Sequence, residues 1–229
     1  MVLLTSAGMV HAKPFKWSSA SDISTWDIHS QNNGLQNGIH ASVYESLVYY
    51  NSKSFKIEPM LANAWNEVSP TQLRLTLRSG VVFHDGSPFT ADDVVFSIQR
   101  AMMPTSNFTP YIQGIDKVVR VNNTTVDIIT KGPNPVLLNQ LTELRMMNKA
   151  WAEKNKTVAP KDIKTAEENF AHRNANGTGP FVLKEWLPDQ KLVLTRNPKW
   201  WGSAPTNVTE VTYTPIKATA TRMAALLSG

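Results

Sequence analysis

Leu73-Arg74-Leu75-Thr76-Leu77-Arg78-Ser79-Gly80-Val81-Val82-Phe83-His84-Asp85-Gly86-Ser87-Pro88-Phe89-Thr90-Ala91-Asp92-Asp93 is the stretch whose pattern sets the fold class. Strict alternation from Leu73 to Leu77 puts three leucines on one face of a strand and polar side chains on the other. Ser79-Gly80 and Asp85-Gly86 are turn dipeptides, and Val81-Val82-Phe83 between them predicts a second short strand. The period then changes. Thr90 is an N-cap residue, Asp92 and Asp93 fall at the positive helix end, and a helix is predicted from Ala91 to about Met103, where Pro104 stops it.

Upstream, Ser69-Pro70-Thr71-Gln72 supplies the turn from a preceding strand. Ile39, Val43 and Leu47, with Tyr44 and Val48 beside them, predict a helix over Ile39 to Tyr49. Ser21 to Gly34 is polar, carrying Asp22, Asp27, His29, Gln31, Asn32 and Asn33, and predicts an exposed loop. Lys13 to Ser19 alternates and suits a short strand. Downstream, Val118 to Val121 and Thr125 to Thr130 make a hairpin through Asn122-Asn123. Asn134-Pro135 opens a helix continued by Leu137, Leu138, Leu141 and Leu144. Thr165-Ala166-Glu167-Glu168 has the form of a capping box for a helix ending near Arg173. Gly177-Thr178-Gly179-Pro180 forces an irregular turn into a strand pair, Phe181 to Trp186 and Lys191 to Arg196. Val208 to Thr214 alternates as a strand, and Ala218 to Leu227 is a final helix. The fold class is α/β in the mixed sense, built from hairpins rather than strict βα alternation.

The 229 residues are 41% hydrophobic and 18% charged, an ordinary globular composition. The absence of cysteine excludes a disulfide framework, cysteine-ligated zinc and a thiol nucleophile. The net charge of +5 comes from scattered side chains, so it forms no nucleic-acid stripe. The histidines at 11, 29, 40, 84 and 172 show no zinc-hydrolase spacing. His84-Asp85 offers an acid/base pair, but Asp85-Gly86 reads better as a turn. A Gly-x-Ser-x-Gly elbow does not occur, and Gly177-Thr178-Gly179 lacks the lysine and helix of a phosphate loop. The residues call for no catalytic group, no metal centre and no cofactor, and leave recognition without chemistry.

Met1 to Val10 is apolar or small, and Val10-His11-Ala12 ends it before Lys13, like the tail of a secretory signal cleaved after Ala12. A charged n-region is missing, so a misplaced start codon and frayed residues are the rival readings. At the other end, only Ser228 and Gly229 follow the last helix. A glycine there normally leads onward, so the chain reads as truncated.

Several collinear stretches resemble one family. Val43-Tyr44-Glu45-Ser46-Leu47-Val48, Pro59-Met60-Leu61-Ala62-Asn63-Ala64-Trp65 and the run from Leu75 to Val94 are similar to the signature of family 5 extracellular solute-binding proteins of ABC transporters. Gly177 to Phe181, Arg196-Asn197-Pro198-Lys199-Trp200-Trp201-Gly202 and Thr221 to Gly229 follow in the same order, so the resemblance covers Lys13 to Gly229. It implies a fold like the type II periplasmic binding proteins, with a ligand enclosed between two lobes and delivered to a permease. It also implies a main lobe over 13–40 and 165–229, an inserted α+β subdomain over 41–164, a second lobe missing, and a periplasmic location. The expected partners are a di- or oligopeptide, with a nickel complex or an oligosaccharide as other solute classes, and an ABC transporter permease. The alternative is a single lobe acting as a non-catalytic interaction module, or a degenerate gene product.

The resemblance also implies site residues. The family's Leu-Asp-Pro-His pattern appears as Trp26-Asp27-Ile28-His29, and beyond it Asn32 and Gly34 fall where relatives look toward the cleft. Asn32 offers a donor and an acceptor, and Gly34 permits close backbone approach; a solvated loop is the other reading. Arg145 stands where nickel-binding relatives place an arginine, able to clamp a carboxylate, or it makes a surface salt bridge. Tyr111 offers a ring and a hydroxyl to a ligand, or is a half-buried core residue.

Overall fold

The computed structural model describes residues 13–203 and 207–228. In chain order the elements are β1 (Lys13–Ser19), α1 (Gly34–His40), β2 (Val48–Asn51), β3 (Lys56–Pro59), β4 (Ala62–Ser69), β5 (Gln72–Leu77), α2 (Ala91–Ala101), α3 (Thr109–Ile112), β6 (Ile115–Asn122) and β7 (Thr125–Thr130). They continue with α4 (Leu137–Glu143), α5 (Lys149–Lys154), α6 (Phe170–Arg173), β8 (Phe181–Leu187), β9 (Lys191–Arg196), β10 (Val208–Pro215) and α7 (Thr219–Ser228). One sheet has the order β1-β10-β9-β8, with β1 parallel to β10 and Trp17 opposite Tyr213. The other, β4-β5-β7-β6, is antiparallel, and Leu75 lies between Trp65 and Val126. The β2–β3 hairpin stands apart from both. Among the described residues no helix is long and apolar enough to cross a membrane.

The alternation that predicted β5 works as physics requires. Leu73, Leu75 and Leu77 are buried and join Val126, Ile128, Val94 and Ile98 in one apolar cluster. A second cluster gathers Trp26, Ile28, Ile39, Val43, Tyr44, Met147, Leu192, Leu194 and Tyr213. Helix α2 serves both, because helical spacing sends Val94 and Ile98 to the first and Phe96 to the second. Its start is fixed as expected: the Thr90 N–H donates to Asp93 Oδ2 at 2.8 Å. Asp93 Oδ1 meanwhile accepts from the Lys149 N–H at 2.8 Å, tying α2 to α5.

Four expectations are corrected. The helix over Ile39 to Tyr49 ends at His40, and Val48 begins a strand. The intervening carbonyls are committed elsewhere: Val43 O to Gly179 N at 2.9 Å, Glu45 O to Met146 N at 2.9 Å, Leu47 O to Ala62 N at 2.8 Å. A helix cannot continue through carbonyls that serve other segments. The loop from Ser21 to Gly34 is not exposed throughout, since residues 25–30 are buried. Val81 to Phe83 is not a strand but a tight loop closed by one bridge, Val82 to Pro88. The capping box at Thr165 starts no helix: its hydroxyl bonds Asp162 O at 3.3 Å, and α6 begins at Phe170 with the Asn169 side chain accepting from His172 N at 3.0 Å. Helix α4 begins at Leu137, just after Asn134-Pro135. The short helices α3 and α5 and the hairpin β2–β3 carry too few periodic residues to be anticipated. The leader read over Met1 to Ala12 lies outside the described residues.

Candidate functional site

Asp27 and Arg100 form an ion pair with both side chains fully buried. Arg100 donates from Nη1 and Nη2 to the two Asp27 oxygens, each at 2.7 Å, and from Nη2 to Ala159 O at 3.1 Å. Asp27 also accepts from Lys161 N and Asn169 Nδ2, both at 2.9 Å. Burial pushes its carboxyl up, but the Arg100 charge and these hydrogen bonds outweigh burial and hold it at about 2. The polar stretch that looked like a solvated loop is thus the anchor between α2 and the segment before α6.

His29, itself fully buried, extends this network to the Arg145 backbone. Its Nδ1 faces Arg100 Nη1 at 3.3 Å. A guanidinium only donates, so Nδ1 accepts and Nε2–H donates to Arg145 O at 3.0 Å. Burial, then the Arg100 charge, push His29 down to about 3, so it is neutral at ordinary pH. Arg145 is further fixed by a backbone bridge to Ser46. Its Nη1 donates to Thr142 O at 2.9 Å and Glu143 O at 3.3 Å, carbonyls in the last turn of α4. Burial lowers its pKa, and no carboxylate lies within salt-bridge distance among the described residues. The salt-bridge reading of Arg145 is therefore set aside in favour of a held cation beside a cavity of about 300 Å³, lined also by Ser46, Tyr49, Tyr50, Met60 and Glu143.

Ala41 and Met60 also line a second cavity of about 640 Å³ with Glu45, Phe181, Arg196 and Trp200, so the two adjoin. Glu45 is buried and fixed by Trp201 Nε1 at 2.8 Å, Thr178 Oγ1 at 2.8 Å and Trp200 Nε1 at 3.0 Å. Burial raises its pKa. Opposite it, Gly177 and Gly179 press on Val43: a Cβ at Gly177 would sit 1.9 Å from Val43 O. His84 braces the same bend through Nε2 to Gly179 O at 3.1 Å, which gives the His84-Asp85 turn a structural role. Among the described residues no three His, Asp or Glu side chains converge as a metal site would need.

The four residues implied by resemblance are not gathered into one cavity. Asn32 is exposed, its Oδ1 accepting from Asn37 Nδ2 at 2.8 Å. Gly34 opens α1 with no atom within 4 Å of an added Cβ, and borders a cavity of about 460 Å³ with Trp17, Leu35 and Tyr213. Tyr111 is half-buried against the first cluster, its ring 5.9 Å from that of Phe108. Arg145 alone of the four lines the 300 Å³ cavity. Tyr49 in that cavity, and Glu45 with its Trp200–Trp201 pair at the 640 Å³ one, are not among the residues the sequence points to. Glu45 and the tryptophans lay inside quoted motifs, whereas nothing in the sequence marked Tyr49.

The family model described as bacterial extracellular solute-binding proteins, family 5 Middle, matches residues 56–229. The periplasmic oligopeptide-binding protein OppA of Escherichia coli strain K12 is 26% identical over 226 residues, a match covering 93% of this chain and 41% of that protein. The ABC transporter-associated periplasmic binding protein DppA of Helicobacter pylori, solved with the peptide STSA, superposes with a TM-score of 0.79 at 25% identity, covering 95% of this chain and 45% of that one. MoaA of A. tumefaciens R10, solved with mannopinic acid, gives a TM-score of 0.83 at 26% identity, covering 96% and 44%. This chain therefore spans less than half the length of these relatives. The mixed α/β architecture is that of type II periplasmic binding proteins. With the family pattern running through three quarters of its residues, the chain belongs to the bacterial extracellular solute-binding proteins of family 5.

Proposed function

We propose that this chain forms the solute-gripping part of a non-catalytic, exported receptor that captures peptides in the periplasm and hands them to an ABC transporter permease. The observation that carries the reading is Arg145. It is a cation fixed by two carbonyls and a buried network, and it opens onto a cavity where no protein carboxylate among the described residues is ion-paired to it, the Glu143 side chain lining the same wall beyond salt-bridge distance. A peptide's terminal carboxylate is the natural occupant, since paired N–H donors match its two oxygens. The names of two relatives, an oligopeptide-binding protein and a receptor solved with a peptide, support that class. Asn32, Gly34 and Tyr111 then contact the solute from outside this cavity. The division into a lobe over 13–40 and 165–229 and an inserted subdomain over 41–164 is supported by the two sheets, each built from one of those sets.

The test is thermal unfolding of the native polypeptide that carries this sequence, stripped of ligand and challenged with tripeptides, nickel–histidine and an oligosaccharide. A bound peptide at a hundred times its Kd adds roughly 2.7 kcal/mol, and the expected result is a rise in Tm with peptides alone. A rise only with another solute moves the assignment to that class. No shift with any of them overturns the receptor reading.

A further inference from the structure

The geometry points to Tyr49 as a specificity-determining contact, its phenolic oxygen accepting a hydrogen bond from the last backbone N–H of a peptide whose carboxylate is held by Arg145. This rests on the peptide reading above and names the part of the peptide that the cavity reads.

Tyr49 lies on β2 directly opposite Glu58 of β3, so the two side chains share one face of the hairpin. The Tyr49 hydroxyl donates to Glu58 Oε2. Glu58 is itself held, Oε1 accepting from Asn51 Nδ2 at 2.7 Å and from Ser54 Oγ at 2.9 Å. The hydrogen bond to Glu58 raises the Tyr49 pKa, while the bonds from Tyr49 and Ser54 lower that of Glu58, so the proton stays on the phenol and points at the carboxylate. A tyrosine hydroxyl has one proton. With that proton committed, what the Tyr49 oxygen has left to offer a solute in the cavity it lines with Arg145 is acceptor capacity, which it shares with the Asn51 side chain. The cavity wall then offers donors from Arg145, an acceptor from Tyr49 and, on the Arg145 side, the Glu143 carboxylate, so Arg145 is the group there that attracts an anion. The terminal residue of a peptide presents the complement: two carboxylate oxygens, and an amide N–H two bonds from the carboxyl carbon. A cavity of about 300 Å³ suits the end of a chain and not its whole length.

The experiment is calorimetric titration of the ligand-free native polypeptide and its Tyr49→Phe variant with Ala-Ala-Ala and with Ala-Ala-lactate, in which an ester oxygen replaces the last N–H. Wild-type protein is expected to bind the tripeptide about tenfold more tightly than the ester, the scale of one buried hydrogen bond. Tyr49→Phe is expected to weaken the tripeptide about tenfold, leave the ester unchanged and abolish the preference. Glu58→Ala, which keeps the phenol but frees its proton to turn into the cavity, is expected to shrink the preference as well. An undiminished preference in both variants overturns the role of Tyr49 while the peptide reading stands. Failure of wild-type protein to bind either ligand overturns the peptide reading and this inference with it.

Discussion

Arg100 shows how much one buried side chain organises. It is fully buried against Asp27, so Arg100→Met strands a carboxylate in the interior, and about 3–5 kcal/mol of stability should be lost in urea unfolding. The same network sets a pH dependence. His29, at about 3, and His40, which burial pushes to about 4, lie below their ordinary value of 6.5. The unfolded chain therefore binds more protons below about pH 6.5. The stability from keeping these rings neutral is fully present above that pH and is lost as pH falls through the window down to about 3. Asp27, at about 2 against 3.8, contributes stability that is present above 3.8 and lost between there and about 2. Urea melts at pH 7, 5.5 and 4.5 should show falling stability, and His29→Gln should flatten the decline. A flat wild-type profile would contradict the buried neutral histidines. Glycines give a sharper contrast. Gly177→Ala drives a Cβ to 1.9 Å from Val43 O and should cost about 3 kcal/mol or more, whereas Gly34→Ala meets open space and should change stability by about 0.5 kcal/mol or less.

At the scale of elements, local patterns were reliable where the chain could satisfy itself. The β5 alternation, the hairpin β6–β7, the strand pair β8–β9 and the capped start of α2 all need only neighbours in sequence. Asp93 does more than cap, since it also receives the Lys149 N–H at 2.8 Å. Asp93→Ala should therefore lower stability by about 2 kcal/mol, more than a surface cap, as read by urea unfolding. Residues 41–47 are not helical although their apolar spacing mimics a helix. Their burial is divided between the two clusters, with Val43 and Tyr44 in one and Leu47 in the other. The Thr165 box failed for a related reason: its side chains found local turn partners, and no apolar stripe followed to reward a helix.

Over the whole molecule, stability should be unevenly distributed. Helix α7 contributes no buried residue, and its Met223, Leu226 and Leu227 are 56%, 78% and 81% exposed. Its amides should exchange with solvent first, and those of the central strands β5, β7 and β9 last, by native-state hydrogen exchange. Slow exchange in α7 would show that another surface covers it. What the sequence determined alone was the mixed α/β class, most strands, the start of α2 and the family resemblance, because these depend on residue order and on contacts within a few positions. Only the tertiary structure decided that Asp27 and His29 are an interior network and not a solvated loop. It alone paired Glu45 with two tryptophans far along the chain and set Arg145 beside Tyr49. Those outcomes depend on burial and on partners distant in sequence, which fix the charge and proton position of each group and which no local pattern encodes.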